Sequence, residues 1–365
     1  MFKDYQILDA DSHVIEPLGI WEEYLEPEFK ERAPFYDRST GTTVIEGEPI
    51  TNKISNIVQS QGAKQMAENY PISIIRGFDV ESQVIAMKNM GVDISFVYPT
   101  AGLWMLAIDT MDCELAGALT RAYNNWLRDF CSYDSQLLRP VGAIPRHDPA
   151  EMVPELHRIV SFGWKAVFLR PNQVKGRILS DPAYEPFWNE CERLGIAVSI
   201  HEGTHCRLPS AGADRFDSRF ALHACSHPIE QMMALLAMIE GGVLERHPKL
   251  KVAFLEAGCG WLLYWLWRLD RQYDDLAWEV SDNIKMPPSD YFRRQCFTSF
   301  EPAEPYLREA MDYIGSDRFI FGSDYPHMDS DADAIEQVIA LSDRLPKPTV
   351  QKLLWDNPMN FYGLN

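Results

Sequence analysis

A regular alternation of short apolar segments with longer amphipathic ones is the feature that most constrains the fold of this chain. Eight short segments are typical of β-strands, and helical patterns separate them along the chain. The predicted strands are Tyr5–Val14, Ile94–Tyr98, Pro140–Ile144, Ala166–Leu169, Ile196–Ile200, Lys251–Leu255, Gln295–Phe300 and Phe319–Phe321. Alternating elements predict parallel strands joined by helical crossovers. Eight of them favour an α/β fold of the closed (β/α)8 TIM-barrel type.

The predicted helices follow from caps and stops in the sequence. Asp79 is interpreted as the N-cap of a helix Val80–Met90, and Gly91 as its C-terminal stop. The other predicted helices cover 112–134, Pro149–Phe162, Pro182–Leu194, Pro228–Ile239, Trp261–Tyr273, Pro305–Ile314, Asp331–Leu341 and Thr349–Trp355. An open, doubly wound sheet is disfavoured because the first strand runs into Asp-Ala-Asp-Ser-His, without the glycines of a phosphate loop.

The domain organisation is predicted to be a single barrel over residues 1–365. A length of 365 residues leaves room for two domains. Residues 16–75, however, are rich in proline, glycine and polar residues, and no linker separates two halves. We interpret 16–75 as an insertion after strand 1 that packs over the barrel mouth as a capping segment.

The charge and the cysteines narrow the class of protein. A formal net charge of −19 argues against binding to nucleic acid or to an anionic membrane surface. Seven scattered cysteines without a C-x-x-C pair argue against a disulfide framework, so we expect a cytoplasmic protein. Neither a signal peptide nor a membrane-spanning segment is expected.

Polar residues at predicted strand ends are the candidates for chemistry. Asp9, Asp11 and His13 alternate along strand 1, so their side chains are expected on one face. Others follow later strands: His201 and His205, Glu256, Asp324 and His327. The C-terminal ends of barrel strands converge on one mouth, where active sites lie. Mixed imidazole and carboxylate ligands suit Zn²⁺ or Mn²⁺.

The ordered motifs resemble one known family. They are D-A-D-S-H (9–13), I-H-E-G-T-H (200–205), G-G-V-L-E-R-H-P-K-L-K-V (241–252), L-E-A-G-C-G-W (255–261) and F-G-S-D-Y-P-H (321–327). Together they resemble the second amidohydrolase family, which includes aminocarboxymuconate-semialdehyde decarboxylase and γ-resorcylate decarboxylase. The resemblance covers nearly the whole chain.

The resemblance implies one divalent metal ion at the barrel mouth, with Zn²⁺ expected and Mn²⁺ the alternative. Its ligands would be Asp11, His13, His201 and Asp324. The chain departs from the family at two positions. Asp11 replaces a histidine or glutamate, and Glu256 stands where the family has a strand-6 histidine. Asp9 is either a buried structural carboxylate or a further ligand.

Roles follow for the remaining candidates. Asp324, Glu256 and His201 are assigned to catalysis, and we expect burial near other carboxylates to raise the pKa of Glu256. Arg170 could bind a substrate carboxylate with two hydrogen bonds or serve as an ion-pair partner inside the barrel. Further substrate-binding candidates are His205, His227, His327 and Arg76. The histidines interpreted as structural are His147, His157, His223 and His247.

These assignments predict a metal-dependent enzyme that cleaves a bond in a small carboxylated substrate, aromatic or unsaturated, by non-oxidative decarboxylation. Hydrolysis of a C–N, C–O or C–C bond by metal-bound hydroxide is the first alternative. A non-catalytic metal- or ligand-binding barrel is the second. The apolar, tryptophan-rich stretch 261–267 predicts a buried helix or a subunit interface, so we expect a homodimer.

Overall fold

The computed structural model describes residues 4–39, 41–49, 56–203 and 209–364 and has an α/β architecture. The strands are β1 (Leu8–His13), β2 (Phe35–Asp37), β3 (Thr42–Ile45), β4 (Glu48–Pro49), β5 (Ile94–Tyr98), β6 (Leu138–Pro140), β7 (Gly142–Ala143), β8 (Ala166–Leu169), β9 (Ala197–Ile200), β10 (Val252–Phe254) and β11 (Cys296–Thr298).

The helices surround and connect these strands. They are α1 (Gly19–Tyr24), α2 (Asn56–Asn69), α3 (Pro71–Ile75), α4 (Val80–Met90), α5 (Ala101–Met105), α6 (Cys113–Cys131), α7 (Pro149–Ser161), α8 (Glu185–Leu194), α9 (Arg219–Glu240), α10 (Val243–Arg246), α11 (Gly260–Leu276), α12 (Pro288–Gln295), α13 (Leu307–Ile314), α14 (Ala334–Ala340), α15 (Lys347–Gln351) and α16 (Asn357–Tyr362). A π-helical turn, Lys352–Asp356, joins α15 to α16.

The central strands are parallel and lie side by side in chain order. β1 pairs with β5 and β5 with β6, while β7, β8, β9, β10 and β11 form a second run of neighbours. Only Val141 separates β6 from β7, and its N–H donates to Val97. Strands β8 to β11 are buried at every residue, as expected for parallel strands covered by helices.

The last predicted strand, Phe319–Phe321, lies between the final and the first strand of this series. Phe319 forms a parallel bridge with Thr298 of β11, and the N–H of Ile320 donates to the Thr298 carbonyl at 3.0 Å. On its other side, the carbonyl of Phe321 accepts a 2.8 Å hydrogen bond from the N–H of Ala10 in β1. The segment is therefore extended and bonded on both sides, but its pairing is too short to make a regular strand.

One predicted helix is confirmed, and another begins earlier than predicted. The helix Val80–Met90 is confirmed with its cap, because the Asp79 side chain accepts a hydrogen bond from the N–H of Ser82. The helix predicted at Pro228–Ile239 is wrong in its start, since α9 begins at Arg219 and contains Pro228 in its interior. A proline lacks the N–H for one helical hydrogen bond, so it usually marks a first turn, and here the packed helix tolerates the loss.

Residues 16–75 are more regular than their composition suggests. The described part contains α1, α2 and α3 and a separate three-stranded antiparallel sheet in the order β2-β3-β4. None of the helices in the described part of the chain is both long and apolar enough to cross a membrane.

Candidate active site

His13, at the end of β1, has a ring nitrogen at the centre of a polar cluster that forms no hydrogen bond with any described residue. Its Nδ1–H donates to the carbonyl of Pro99 at 2.8 Å, which leaves Nε2 with a lone pair. Nε2 lies 3.4 Å from Asp11 Oδ1 and 3.4 Å from Asp324 Oδ1, and no described residue forms a hydrogen bond with it. A fully buried acceptor nitrogen between two carboxylates is suited to a cation.

His201 follows β9 and faces the same point. Its Nδ1–H donates to the carbonyl of Glu202 at 2.7 Å, and its Nε2 lies 3.2 Å from Asp11 Oδ1. Burial by itself lowers the pKa of His201, but the charge and hydrogen bond of Asp11 raise it to about 9. The negative potential that favours an imidazolium here would equally favour a divalent cation.

Asp324 reaches the cluster because the segment before it packs tightly on β1. The N–H of Asp324 donates to the carbonyl of Asp11 at 2.9 Å. A Cβ atom on Gly322 would lie 2.5 Å from the Cβ of Asp11, so only glycine permits this approach. Asp324 has a φ of 54°, in the left-handed region that aspartate tolerates better than most non-glycine residues.

The four predicted metal ligands come together around His13. The possible ligand atoms of Asp11, His13 and His201 lie within 4.8 Å of one another, as do those of His13, Asp324 and His327. Two imidazole nitrogens and two carboxylates form a donor set that fits Zn²⁺ or Mn²⁺. Burial would raise the pKa of Asp11, but the two imidazoles lower it, so Asp11 is ionised, as a ligand must be.

Asp9 does not belong to either group of ligand atoms. The pairing of β1 with β5 shifts register between Asp9 and Ser12, which interrupts the simple alternation expected for Asp9, Asp11 and His13. Its carboxylate accepts hydrogen bonds from the N–H and the hydroxyl of Ser323, at 2.9 and 2.5 Å. Burial raises the pKa of Asp9 to about 7. Asp9 thus connects β1 to the segment that carries Asp324.

Glu256 is surrounded by three histidines. Its Oε2 lies 3.5 Å from His201 Nδ1 and 3.5 Å from His227 Nε2, and its Oε1 lies 3.8 Å from His327 Nδ1. Burial would raise its pKa, but these imidazoles hold the pKa of Glu256 well below its usual range. The expectation of a raised pKa for Glu256 is wrong because two of the histidines come from segments whose proximity the sequence does not reveal.

Asp324 and His327 form a close acid–base pair. His327 Nδ1 lies 2.7 Å from Asp324 Oδ1, and its Nε2 lies 2.8 Å from the hydroxyl of Thr100. Burial raises the pKa of Asp324 to about 6. Burial lowers the pKa of His327, but Asp324 and Glu256 outweigh this and raise it well above its usual value. The pair therefore retains a proton at neutral pH.

A cavity of about 320 Å³ adjoins Glu256 and His327. One wall is apolar and comes from Ile15, Leu103 and Trp104. The helix α2 contributes a second apolar wall. The remaining lining residues include Met328 and the polar side chains Arg219, His223, His227 and Asp329. A mostly apolar cavity with a few polar groups is typical of a site for a small organic molecule.

The predicted substrate-binding residues lie in different places. His227 and His327 line the cavity. Arg170 is buried and donates to Glu202 and to the carbonyls of Leu103 and Gly203.

The other two predicted substrate-binding residues are Arg76 and His205. Arg76 is partly exposed and pairs with Asp79 and Glu81 in the first turn of α4. His205 lies outside the described residues. The substrate-binding roles of all five residues remain predictions.

Three cavity residues were missed or misread from the sequence. His223 was interpreted as structural, and Arg219 and Asp329 were not singled out, yet all three line the cavity. Arg219, His223 and His227 are spaced by four residues, so one helix presents them on one face. The four-residue spacing is visible in the sequence. A helix predicted to begin at Pro228, however, leaves all three residues outside it, so their common face is not recognised.

The profile of the amidohydrolase family matches residues 76–364, most of the chain. The chain belongs to the amidohydrolase family. The resemblance inferred from the motifs is therefore confirmed.

Characterised relatives within this family carry decarboxylase names. The chain is 26% identical over 292 residues to the 2-amino-3-carboxymuconate-6-semialdehyde decarboxylase of Dictyostelium discoideum, covering 79% of this chain and 77% of the relative. It is 28% identical over 271 residues to the γ-resorcylate decarboxylase of Polaromonas sp. strain JS666, covering 70% and 79%.

Solved structures of amidohydrolases share the fold. An amidohydrolase from Mycobacterium avium subsp. paratuberculosis K-10 superimposes with a TM-score of 0.80 at 20% identity, and the match covers 99% of both chains. A dihydroxybenzoic acid decarboxylase from Polaromonas sp. JS666, solved with bound manganese and the inhibitor 2-nitroresorcinol, gives a TM-score of 0.69 at 18% identity, with 99% and 98% covered. These amidohydrolases are TIM-barrel enzymes, in line with the α/β fold seen here.

Proposed function

We propose that this amidohydrolase is a divalent-metal-dependent carboxy-lyase that removes CO₂ from a small aromatic or unsaturated acid. The observation that carries the proposal is the convergence of Asp11, His13, His201 and Asp324 beside a mostly apolar cavity. The decarboxylase names of the relatives support the same reaction class.

The metal would be held by Asp11, His13, His201 and Asp324. When bound, a divalent cation acts as a Lewis acid that orients the substrate carboxylate and stabilises negative charge as the C–C bond breaks. Zinc was expected from the sequence, and the manganese of the Polaromonas structure supports Mn²⁺ as the first ion to test.

The chain's own residues supply the proton. Decarboxylation leaves a carbanion-like carbon that needs a proton from a positioned acid. The Asp324–His327 pair holds a proton along its 2.7 Å hydrogen bond and borders the cavity. We assign proton delivery to this pair. Glu256, which is ionised, is assigned to holding His227 and His327 in place through its charge. The apolar walls exclude water from the carbanion.

One observation favours hydrolysis as a second candidate. A carboxylate with a lowered pKa is a base rather than a proton donor, and Glu256 lies where the family has a histidine. In a hydrolase, Glu256 would remove a proton from the attacking water, and Asp324–His327 would protonate the leaving group.

The test separates metal dependence from reaction type. Protein stripped with a chelator and reloaded with Mn²⁺ or Zn²⁺ is incubated with 2,6-dihydroxybenzoate, 5-carboxyvanillate and other aromatic acids while CO₂ is measured, and with amides and esters while acid release is measured. We expect metal-dependent CO₂ release, abolished in His201→Ala. His157→Ala, at an exposed position on α7, is the matched control. Failure to bind any divalent metal, or full activity of His201→Ala, refutes the proposal.

The proposed architecture is a single domain, 1–365, with a closed barrel and a capping segment, 16–75. Support for closure is the pair of hydrogen bonds that join 319–321 to β11 and to β1. Support for the cap is that α2 lines the cavity and that Tyr70 and Ser73 bond to Ser330 and Tyr325. Deletion of 16–75 should leave the cavity open and abolish substrate binding measured by calorimetry.

A homodimer in the cytoplasm completes the proposal. The helix α11 buries Trp261 but exposes 57% of Tyr264 and 55% of Trp267, an aromatic surface suited to a subunit contact. The six cysteines that the structure describes are unpaired, as in a reducing compartment. Sedimentation equilibrium measures the assembly, and a monomer at micromolar concentration would contradict the dimer.

A further inference from the structure

One face of α9 carries a line of basic side chains from the cavity entrance to its interior. Arg219, His223 and His227 follow one another at intervals of four residues. The rings of His223 and His227 stack with centroids 4.2 Å apart, and His227 lies 3.5 Å from Glu256. Arg219 is therefore the outermost of three groups that lead to the metal cluster.

The cavity opens to the surface beside Arg219. A second, more open cavity of about 480 Å³ shares five lining residues with the first: Val58, Arg219, His223, Met328 and Asp329. Its outer wall includes Phe220, which is 86% exposed. A molecule that enters between α2 and α9 passes the Arg219 side chain.

Arg219 has more hydrogen-bond donors than the structure uses. Its side chain is 23% exposed, and its one ion-pair contact with a described residue is a 3.8 Å approach to Asp329 Oδ2. No described residue accepts a hydrogen bond from its guanidinium. Asp329 Oδ2 lies closer to His223 Nε2, at 3.3 Å, than to the guanidinium of Arg219. A guanidinium beside a cavity, with no hydrogen bond to a described residue, suits a planar anion bound by two hydrogen bonds.

The negative net charge of the chain gives the cation of Arg219 a further role at the cavity entrance. A total of −19 repels an anionic substrate at long range, so a cation at the entrance offsets that field where substrate arrives. Apart from His223 and His227 on α9, the cavity walls between Arg219 and the metal cluster are mainly apolar and include Trp104, Met66 and Met328. These walls fit a hydrocarbon or aromatic spacer between two polar ends.

We propose that Arg219 is a specificity-determining residue that binds a second anionic group of the substrate, at the end remote from the carboxylate that leaves. The inference rests on the proposed function and narrows its substrates to acids with two anionic groups joined by an apolar spacer. Asp329, 3.8 Å from the guanidinium, positions it at the entrance.

The test compares one monoacid with two diacids. Manganese-loaded protein is titrated calorimetrically with benzoate, isophthalate and terephthalate. We expect at least one diacid to bind wild type about tenfold more tightly than benzoate, the size of effect expected of a charge-assisted bidentate contact. Arg219→Gln should remove that preference and leave benzoate binding unchanged, while Arg219→Lys should keep part of it. Arg215→Gln is the matched control, since Arg215 is 75% exposed, pairs with Asp214 and does not line the described cavity.

The outcomes separate the two proposals. Equal binding of benzoate and both diacids by wild type, absence of binding included, overturns the role of Arg219. A preference for diacids that survives Arg219→Gln also overturns that role. An equal loss of benzoate affinity in the same variant overturns it as well. If the preference depends on Arg219 but neither CO₂ nor hydrolysis products form from the acid and ester panels, the carboxy-lyase proposal fails and the anion site stands. Release of CO₂ without any dependence on Arg219 refutes the anion site alone.

Discussion

Gln231 on α9 connects the two strand ends that carry His201 and Glu256. Its side-chain amide is buried, and Nε2 donates two 2.9 Å hydrogen bonds, to the carbonyls of Ile200 and Leu255. Replacement by methionine keeps the approximate volume and removes both donors. Each hydrogen bond contributes about 1 kcal/mol net, and a carbonyl left buried without a partner costs a further 1–3 kcal/mol or so.

The structure limits how large this loss can be. The Ile200 carbonyl keeps a second partner in the N–H of Leu255, at 3.1 Å, so chiefly the Leu255 carbonyl loses its partner. The Oε1 of Gln231 has no hydrogen-bond partner among the described residues, and its removal recovers part of the cost. We therefore expect Gln231→Met to lower the free energy of unfolding by about 2–3 kcal/mol.

The same change should loosen the metal site. His201 and Glu256 follow the two carbonyls, so a small shift of either strand end changes the ligand geometry, and metal affinity should fall about tenfold. Urea unfolding gives the stability, and competition with a chromogenic chelator gives the affinity. Gln337→Met on α14 is the control, because Gln337 bonds only to exposed Asp331 and Asp333. A loss below about 0.5 kcal/mol with unchanged metal affinity would refute this reasoning.

Three further predictions test other parts of the molecule. Gly322→Ala places a Cβ atom 2.5 Å from that of Asp11, so we expect a loss of about 1–3 kcal/mol in urea unfolding together with a lower metal content by elemental analysis. Burial lowers the pKa of His147 to about 4, so its neutral form stabilises the fold fully above pH 6.5 and that contribution disappears as the pH falls through 4. Wild type should therefore lose about 3 kcal/mol more than His147→Gln between pH 7 and pH 4, and parallel pH profiles would contradict the assignment. Trp267→Glu places a charge on the exposed aromatic surface of α11 and should yield monomers by light scattering, with unchanged circular dichroism.

The parallel strands could be predicted because their sequence signal is local. Ala166–Leu169 is predicted and observed with the same bounds. A short apolar run between a helix and a polar residue in an α/β chain usually forms a buried parallel strand. The helix Val80–Met90 is likewise fixed by its own caps, Asp79 and Gly91. The metal ligands could be proposed because Asp11 and His13 alternate on strand 1, His201 and Asp324 come at or soon after strand ends, and the motifs that contain them resemble those of a metal-dependent family.

The environment of Glu256 could not be predicted, because its neighbours come from distant segments. His227 belongs to a helix whose start was placed nine residues too late, and His327 lies beyond the last strand. The pKa of Glu256 depends on the distances to those rings, which no local pattern encodes. In the same way, a role for Arg219 can be inferred only from the tertiary structure, in which α2 and α9 form the two sides of one cavity entrance.

The junction between β1 and the segment that bears Asp324 has a consequence for biosynthesis. Asp9 and Ser323, which bond directly, are 314 residues apart in sequence. During translation, Asp11 and His13 emerge from the ribosome long before the segment that bears Asp324. Until then β1 keeps an unpaired edge, which is a site for wrong pairing with other chains. A nascent chain that has not yet reached Asp324 lacks one of the four proposed ligands, so the proposed metal site can form only after that segment has been synthesised.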